Sequence, residues 1–198
     1  MTLEEEVFAP TRPEQNIPVL RTERLMLRAP RLGDAKVIAV LANDLRVSAN
    51  TARIPHPYHV DDAERFIATV GAGEAGLCWA ITLDGVPIGL CGLDPREDEP
   101  DLGYWLGVPF WGRGFATEAA RAVIDHAFGE LECEALQSGA RVTNPASRRV
   151  LEKCGFQWTG VRLIRIRAIN SSAPVDRLRL DRGLWASLKS WGRARRVV

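Results

Sequence analysis

The spacing of apolar residues changes character several times along this chain. In ERLMLRAP every second residue faces the same way. Leu25 and Leu27 lie on one side and Arg24, Met26 and Arg28 on the other. This alternation predicts a strand with a wet face, ended by Pro30. In LGDAKVIAVLAND, Val37, Val40 and Leu41 recur at helical spacing, and Asp34 stands near the start, where the helix dipole favours an anion. After the proline-broken stretch RIPHPYH, a second helix is expected from near Asp61, with Ala63, Phe66, Ile67 and Val70 turned inward. GLCWAITLDGVPIGLCGL reads as two short strands joined at Asp84-Gly85, a pair that tolerates the positive φ of a tight hairpin.

The second half continues with a strand in DLGYWLGV, ending at Val108, and a helix from about Gly114 to Phe128. Ala116, Ala120, Val123, Ile124 and Ala127 form the buried stripe of that helix. Glu118, Arg121 and Asp125 lie opposite, at spacings where charges can pair. ALQSGARV is a strand. NPASRRVLEKCGF is a punctuated helix: Asn144 caps it, Pro145 takes the first turn and Gly155 closes it. FQWTGVRLIRIRAI and PVDRLRLDRG are strands, and LWASLKSW is a short terminal helix. The order β-α-α-β-β-β-α-β-α-β-β describes an α/β (α+β) domain built on a mixed sheet.

Composition narrows the class. The chain has 198 residues, 46% of them hydrophobic, which suits one well-buried core. We divide it into a loose arm (1–17), a main domain (18–190) and a basic tail (191–198). The net charge of +1 gives no sign of a nucleic-acid partner. The tail cations, including Arg193, Arg195 and Arg196, read as a solvated end. Cys78, Cys91, Cys133 and Cys154 form no CxxC pair, and the three histidines fall in no ligand pattern, so no metal is expected. The acidic start MTLEEEVFAP does not resemble a signal peptide, and no apolar run approaches the ~20 residues that span a bilayer. The expectation is a cytoplasmic protein with free thiols.

Two stretches carry chemistry. In VPFWGRGFATEA, Gly112 and Gly114 flank Arg113 between a strand and a helix. Backbone N–H groups converge there, and the positive helix end adds to them, which suits an anion site; taken alone, the stretch equally reads as a strand-to-helix bend with no ligand. A P-loop is excluded because no Gly-Lys-Ser/Thr occurs. A dinucleotide fingerprint is excluded because Thr117 stands where a third glycine belongs. The second stretch is NPASRRVLEKCGF, with Asn144 and Ser147 in its first turn.

Together, in this order and spacing, the two stretches resemble the GNAT superfamily of acyl-CoA N-acyltransferases. LRTERLMLRAPRLGDA and PHPYHVDDAERFI extend the likeness back toward Val19, and it continues to about Leu180. Within the superfamily the chain is similar to the ribosomal-protein-alanine N-acetyltransferases (RimJ/RimL type). The resemblance implies a single domain with a mostly antiparallel sheet of about seven strands, flanked by helices and splayed between strands 4 and 5. Two positions depart from the pattern. Trp111 stands where the phosphate loop usually has Gln or Arg, and Leu151 stands where many members place a thiol-protonating tyrosine.

The resemblance further implies direct acetyl transfer from acetyl-CoA to an amine acceptor, either a protein N-terminus or a small molecule. Alternatives are an aminoglycoside or polyamine acceptor, or a sensor that holds acetyl-CoA without turnover. Leu106, Gly107 and Val108 would hold the pantetheine arm. Trp111, Gly112, Arg113, Gly114, Phe115, Ala116 and Thr117 would hold the pyrophosphate. Asn144, Ser147, Arg148 and Arg149 complete the coenzyme contacts. Ser147 would hydrogen-bond the departing thiolate, and Asp101 would act as base, with Tyr104 and Glu99 as rivals. Asn50, Arg53, His56 and Tyr58 would meet the acceptor. A monomer or homodimer is expected, with no membrane partner.

Overall fold

A computed structural model describes residues 17–95 and 99–194, without the side chains of 192–194. The N-terminal arm, most of the acidic run REDEP and the end of the basic tail lie outside the described residues. The strands are β1 (Leu20–Arg21), β2 (Met26–Arg28), β3 (Leu77–Leu83), β4 (Val86–Asp94), β5 (Asp101–Leu106), β6 (Ala135–Arg141), β7 (Gln157–Ile166) and β8 (Ser171–Asp181). The helices are α1 (Ala35–Ala42), α2 (Leu45–Ser48), α3 (Val60–Gly71), α4 (Phe115–Gly129), α5 (Pro145–Lys153) and α6 (Arg182–Ala194).

The strands form one sheet in the order β1-β2-β3-β4-β5-β6-β8-β7. Neighbours pair antiparallel except β5 and β6, which run parallel. The sheet has eight strands rather than about seven because Leu20 and Arg21 pair with Leu27 and Met26 as an added edge. Asp84 (φ 50°) and Gly85 (φ 83°) make the β3–β4 hairpin turn as expected.

The break in the sheet positions the site. β5 and β6 pair only at Asp101–Gln137 and Leu102–Ser138, then diverge. Ser138 Oγ donates to Leu102 O at 2.7 Å and closes the paired end. This is the splay expected between strands 4 and 5, renumbered by the added edge strand. α4 and α5 lie on the face of Tyr104, whose phenol reaches Ser147. α2 lies on the opposite face, where Arg141 reaches Ala49.

Several local expectations are corrected. Arg28 is not on a wet face: only 8% exposed, it forks onto buried Asp34 with bonds of 2.7 and 2.9 Å. A neutralising acid six residues on lets an alternating strand bury its arginine. In α1, Ile38, Ala39 and Ala42 face the core while Val40 is exposed, so the true stripe is rotated from the predicted one. β5 ends at Leu106, and Val108 belongs to a 3-10 turn, Val108–Phe110. The α4 charges pair across the fold rather than along the helix. Glu118 binds Arg24 at 2.6 Å, and Asp125 binds Lys189 at 2.9 Å.

Candidate active site

Strand geometry decides which backbone groups face the gap. Gly107 N–H donates to Ile88 O on β4. Successive residues of an antiparallel strand alternate the edge on which they bond. Tyr104 and Leu106 therefore turn their backbone groups away from β4, toward the space that β6 vacates. Trp111 Nε1 donates to Leu106 O at 2.7 Å, which caps that carbonyl and ties the following loop to the strand end.

The loop then turns twice through left-handed conformations, at Gly112 (φ 72°) and Gly114 (φ 80°). Only glycine adopts these readily. A Cβ at Gly112 would meet nothing within 4 Å, so the backbone is open to a ligand. Gly114 caps α4, and the first N–H groups of that helix lack intrahelical partners. Arg113 lies over the Phe115 ring at 4.8 Å and Arg24 lies over the same ring at 4.6 Å. Arg24 also donates to Arg113 O at 3.0 Å while paired with Glu118. Burial pushes the Glu118 carboxyl up, but bonds from Thr22 and Arg24 outweigh it and hold the group below its ordinary range. The sequence gives no sign of Arg24 at this site. Arg24 lies in the turn between β1 and β2, 89 residues from Arg113, and only the folded chain joins them.

A cleft of about 290 Å³ runs from this nest along β5 to α5. Leu106, Trp111, Gly112, Gly114, Phe115, Ala116 and Thr117 line it, with Asn144, Ser147 and Arg149 opposite. Lys153, a cation available for the coenzyme's phosphates, lines it too, as do Arg46, Val47, Thr51, Trp105 and Phe110, which were not among the expected site residues. Arg148 turns elsewhere, pairing with Glu152 at 2.9 Å and Asp176 at 3.1 Å.

Asn144 caps α5 by accepting from Ser147 N–H at 3.1 Å. Tyr104 Oη donates to Ser147 O at 2.9 Å and lies 3.0 Å from Ser147 Oγ. Burial pushes the Tyr104 phenol far above its ordinary range, so it stays protonated and acts as a hydrogen-bonding group. Leu151 is fully buried in the core. Burial likewise raises Cys78 to about 12 and Cys154 to about 11, which keeps both as thiols.

Asp101 lies on the other side of the sheet. Side chains alternate along β5, so Asp101, Gly103 and Trp105 face away from Tyr104 and Ser147. Arg177 Nη2 donates to Asp101 at 2.9 Å and to Gln137 at 3.0 Å. Glu99 is held by Arg179, whose bond keeps its carboxyl below the ordinary range. Asp94 sits directly across from Asp101 and pairs with Arg53 at 3.3 Å. Asn50 borders the cleft and donates to Arg46 O. Tyr58 does not reach the cleft. It is 8% exposed in the core, where burial raises its phenol to about 12. His56 is exposed. Among the described residues, no three His, Cys, Asp or Glu side chains cluster as metal ligands, and no helix is long and apolar enough to cross a membrane.

A mixed sheet splayed at its parallel joint, with a glycine nest at the end of the open strand, defines an acetyltransferase class of domain. The family described as Acetyltransferase (GNAT) domain matches residues 24–157, and the chain belongs to this family. The chain is 31% identical over 150 residues to the uncharacterized N-acetyltransferase p20 of Bacillus licheniformis, covering 72% of this chain and 84% of p20. It is 38% identical over 101 residues to YdaF of Bacillus subtilis (strain 168), whose name provisionally assigns it to the ribosomal N-acetyltransferases. That match spans 51% of this chain and 55% of YdaF. The fold is similar to Mycobacterium smegmatis RimJ, solved in complex with CoA-disulfide, at TM-score 0.71 and 20% identity over 83% of this chain and 86% of that one.

Proposed function

We propose that the chain moves an acetyl group from acetyl-CoA directly to a primary amine, within a complex holding both substrates. The observation that carries this reading is the open edge of β5, which runs from the nest at Gly112 and Gly114 to the hydroxyl of Ser147. Bound acetyl-CoA supplies an already activated thioester, so the protein need only position the reactants, remove a proton and stabilise charge.

Each residue then has a task. The nest and the first N–H groups of α4 receive the pyrophosphate, with Arg113, Arg149 and Lys153 near enough to add charge. The backbone groups of Tyr104 that face the gap hold the pantetheine arm as a neighbouring strand would, and the Leu106 N–H polarises the thioester oxygen, its carbonyl being taken by Trp111. Asn144 steadies the same arm while capping α5. Ser147 donates a hydrogen bond to the sulfur as the C–S bond breaks. A serine hydroxyl is a weaker acid than a thiol, whose ordinary pKa is about 8.5, so Ser147 stabilises the anion and water delivers the proton. Asp101, on the acceptor face, takes a proton from the attacking amine through water.

Thiol release, measured with purified protein against a panel of primary amines, tests this reading. Release that requires both acetyl-CoA and one class of amine is expected. Tight coenzyme binding with no release on any amine would instead make the chain an acetyl-CoA sensor.

A further inference from the structure

On the proposed acceptor face, one guanidinium is left with work undone. Gln137, Gly139 and Arg141 share a face of β6, and register places that face beside Asp101. Arg141 Nη1 donates to Ala49 O at 2.8 Å, while its Nε is buried with no partner. Among the described residues only Arg182 Nη2 is in the same position. Arg182 follows β8, where its Nε bonds Cys133 O, at the end of β6 away from Arg141.

The surroundings show room and an excess of positive charge. A Cβ at Gly103, on the same face of β5, would meet no heavy atom within 4 Å. A Cβ at Gly139 would meet Val175 Cγ1 at 2.9 Å and Arg177 Nη1 at 3.0 Å, so the Arg177 guanidinium lies across β6 over Gly139, two residues from Arg141 along the strand. Residues 49–53 arch over this face and are moored at positions 49, 52 and 53. Ala49 O accepts from Arg141, Ala52 O accepts from Arg167 N at 3.1 Å, and Arg53 pairs with Asp94. Arg177 and Arg53 have carboxylate partners. The bonds of Arg141 and Arg167 go to carbonyl oxygens.

We propose that Arg141 receives a carboxylate of the acceptor, carried within a few bonds of the amine that is acetylated. This rests on the acetyl-transfer reading above. A buried N–H without an acceptor costs free energy that a carboxylate oxygen would recover. The planar guanidinium fork suits a carboxylate, and the bond is charge-assisted. The same surplus of arginines opposes a polyamine, whose second ammonium would meet like charge. The carboxylate belongs either to a free amino acid or to an acidic side chain next to a peptide's N-terminus.

The test uses matched acceptors and thiol release. The first pair is alanine and alaninamide. The second is alanyl-glutamate and alanyl-glutamine, both amidated at the C-terminus. Spermidine is the polycationic control. In at least one pair the carboxylate member is expected to exceed its amide in kcat/KM by roughly tenfold or more, and the pair that does so identifies the source. Arg141→Gln should bring that ratio toward one, and Arg141→Lys should retain part of it. The acetyl-CoA Kd and Tm of both variants report whether the arch has simply collapsed. Release favouring the amides or spermidine, or a ratio unchanged in Arg141→Gln, overturns this inference alone. No release on any acceptor, despite normal coenzyme binding, defeats the transfer reading and this inference together.

Discussion

Tyr104 and Ser147 are joined by two contacts: the phenol donates to the Ser147 carbonyl at 2.9 Å and lies 3.0 Å from its hydroxyl oxygen. One side chain of the open strand thus fixes the first turn of α5. The phenol has a single proton, given to the carbonyl, so in the second contact the serine hydroxyl donates to the phenol oxygen, and it must turn from there to reach a thiolate. Ser147→Ala should lower kcat by at least about tenfold and leave the acetyl-CoA Kd almost unchanged. Tyr104→Phe should lower kcat less and cost about 1–3 kcal/mol of stability, because a carbonyl loses its donor. Wild-type kcat in Ser147→Ala would remove the serine from the mechanism.

Gly114 holds φ at 80°, with Arg24 Nη2 3.4 Å from the place a Cβ would take. Gly114→Glu puts strain and a negative charge into the nest at once. Calorimetric titration with acetyl-CoA should show no binding, while circular dichroism stays that of the wild type. Unchanged affinity would mean the nest does not hold the coenzyme.

Trp111 replaces a polar side chain with a clamp, through its 2.7 Å bond to Leu106 O. Trp111→Phe keeps the ring and deletes the donor. The acetyl-CoA Kd should rise by roughly two- to tenfold, the worth of one hydrogen bond. A tighter complex in this variant would show that the clamp opposes binding.

Asp101 lies on the face of the sheet opposite Tyr104 and is ion-paired with Arg177 at 2.9 Å. Asp101→Asn keeps the shape and removes the proposed base, so it should lower kcat by at least about tenfold and leave the acetyl-CoA Kd almost unchanged. A wild-type kcat in this variant would take Asp101 out of the chemistry.

The pair Arg28–Asp34 predicts how stability responds to acid. Burial pushes the Asp34 carboxyl up, but the Arg28 fork and Arg31 N–H outweigh it and hold it below its ordinary range. A carboxyl depressed in the folded state binds protons more weakly there than in the unfolded chain. Its stabilisation is therefore complete above about pH 4, the ordinary aspartate value, and fades as pH falls through the folded value. Asp34→Asn should flatten this part of the denaturation curve. Arg28→Leu should cost about 3–5 kcal/mol at neutral pH, because it strands a buried carboxylate.

Local rules made some of this legible and could not reach the rest. Asn144, Pro145 and Gly155 announce α5 because capping is a property of neighbours in sequence. The Asp84-Gly85 turn is legible for the same reason. Gly112 and Gly114 marked the nest, since a positive φ selects glycine. Arg28 was misread because alternation reports a face but not a partner, and Asp34 reverses the meaning of that face. Arg148 pairs with Asp176, 28 residues away, and no local pattern announces that partner. Arg24 and Arg141 escaped notice because their partners, Arg113 and Ala49, lie 89 and 92 residues off.

The break between β5 and β6 also separates two vocabularies of the sequence. The nest, the Tyr104–Ser147 link and the α5 cap come from residues 104, 112–114, 144 and 147, on one side of the sheet. The arch and its moorings come from residues 49–53, 94, 141 and 167, on the other. Substitutions in the second set leave the first set's bonds untouched. Descendants of this chain could therefore vary positions 52, 53, 94, 141 and 167, none of which lines the cleft, while inheriting the nest intact.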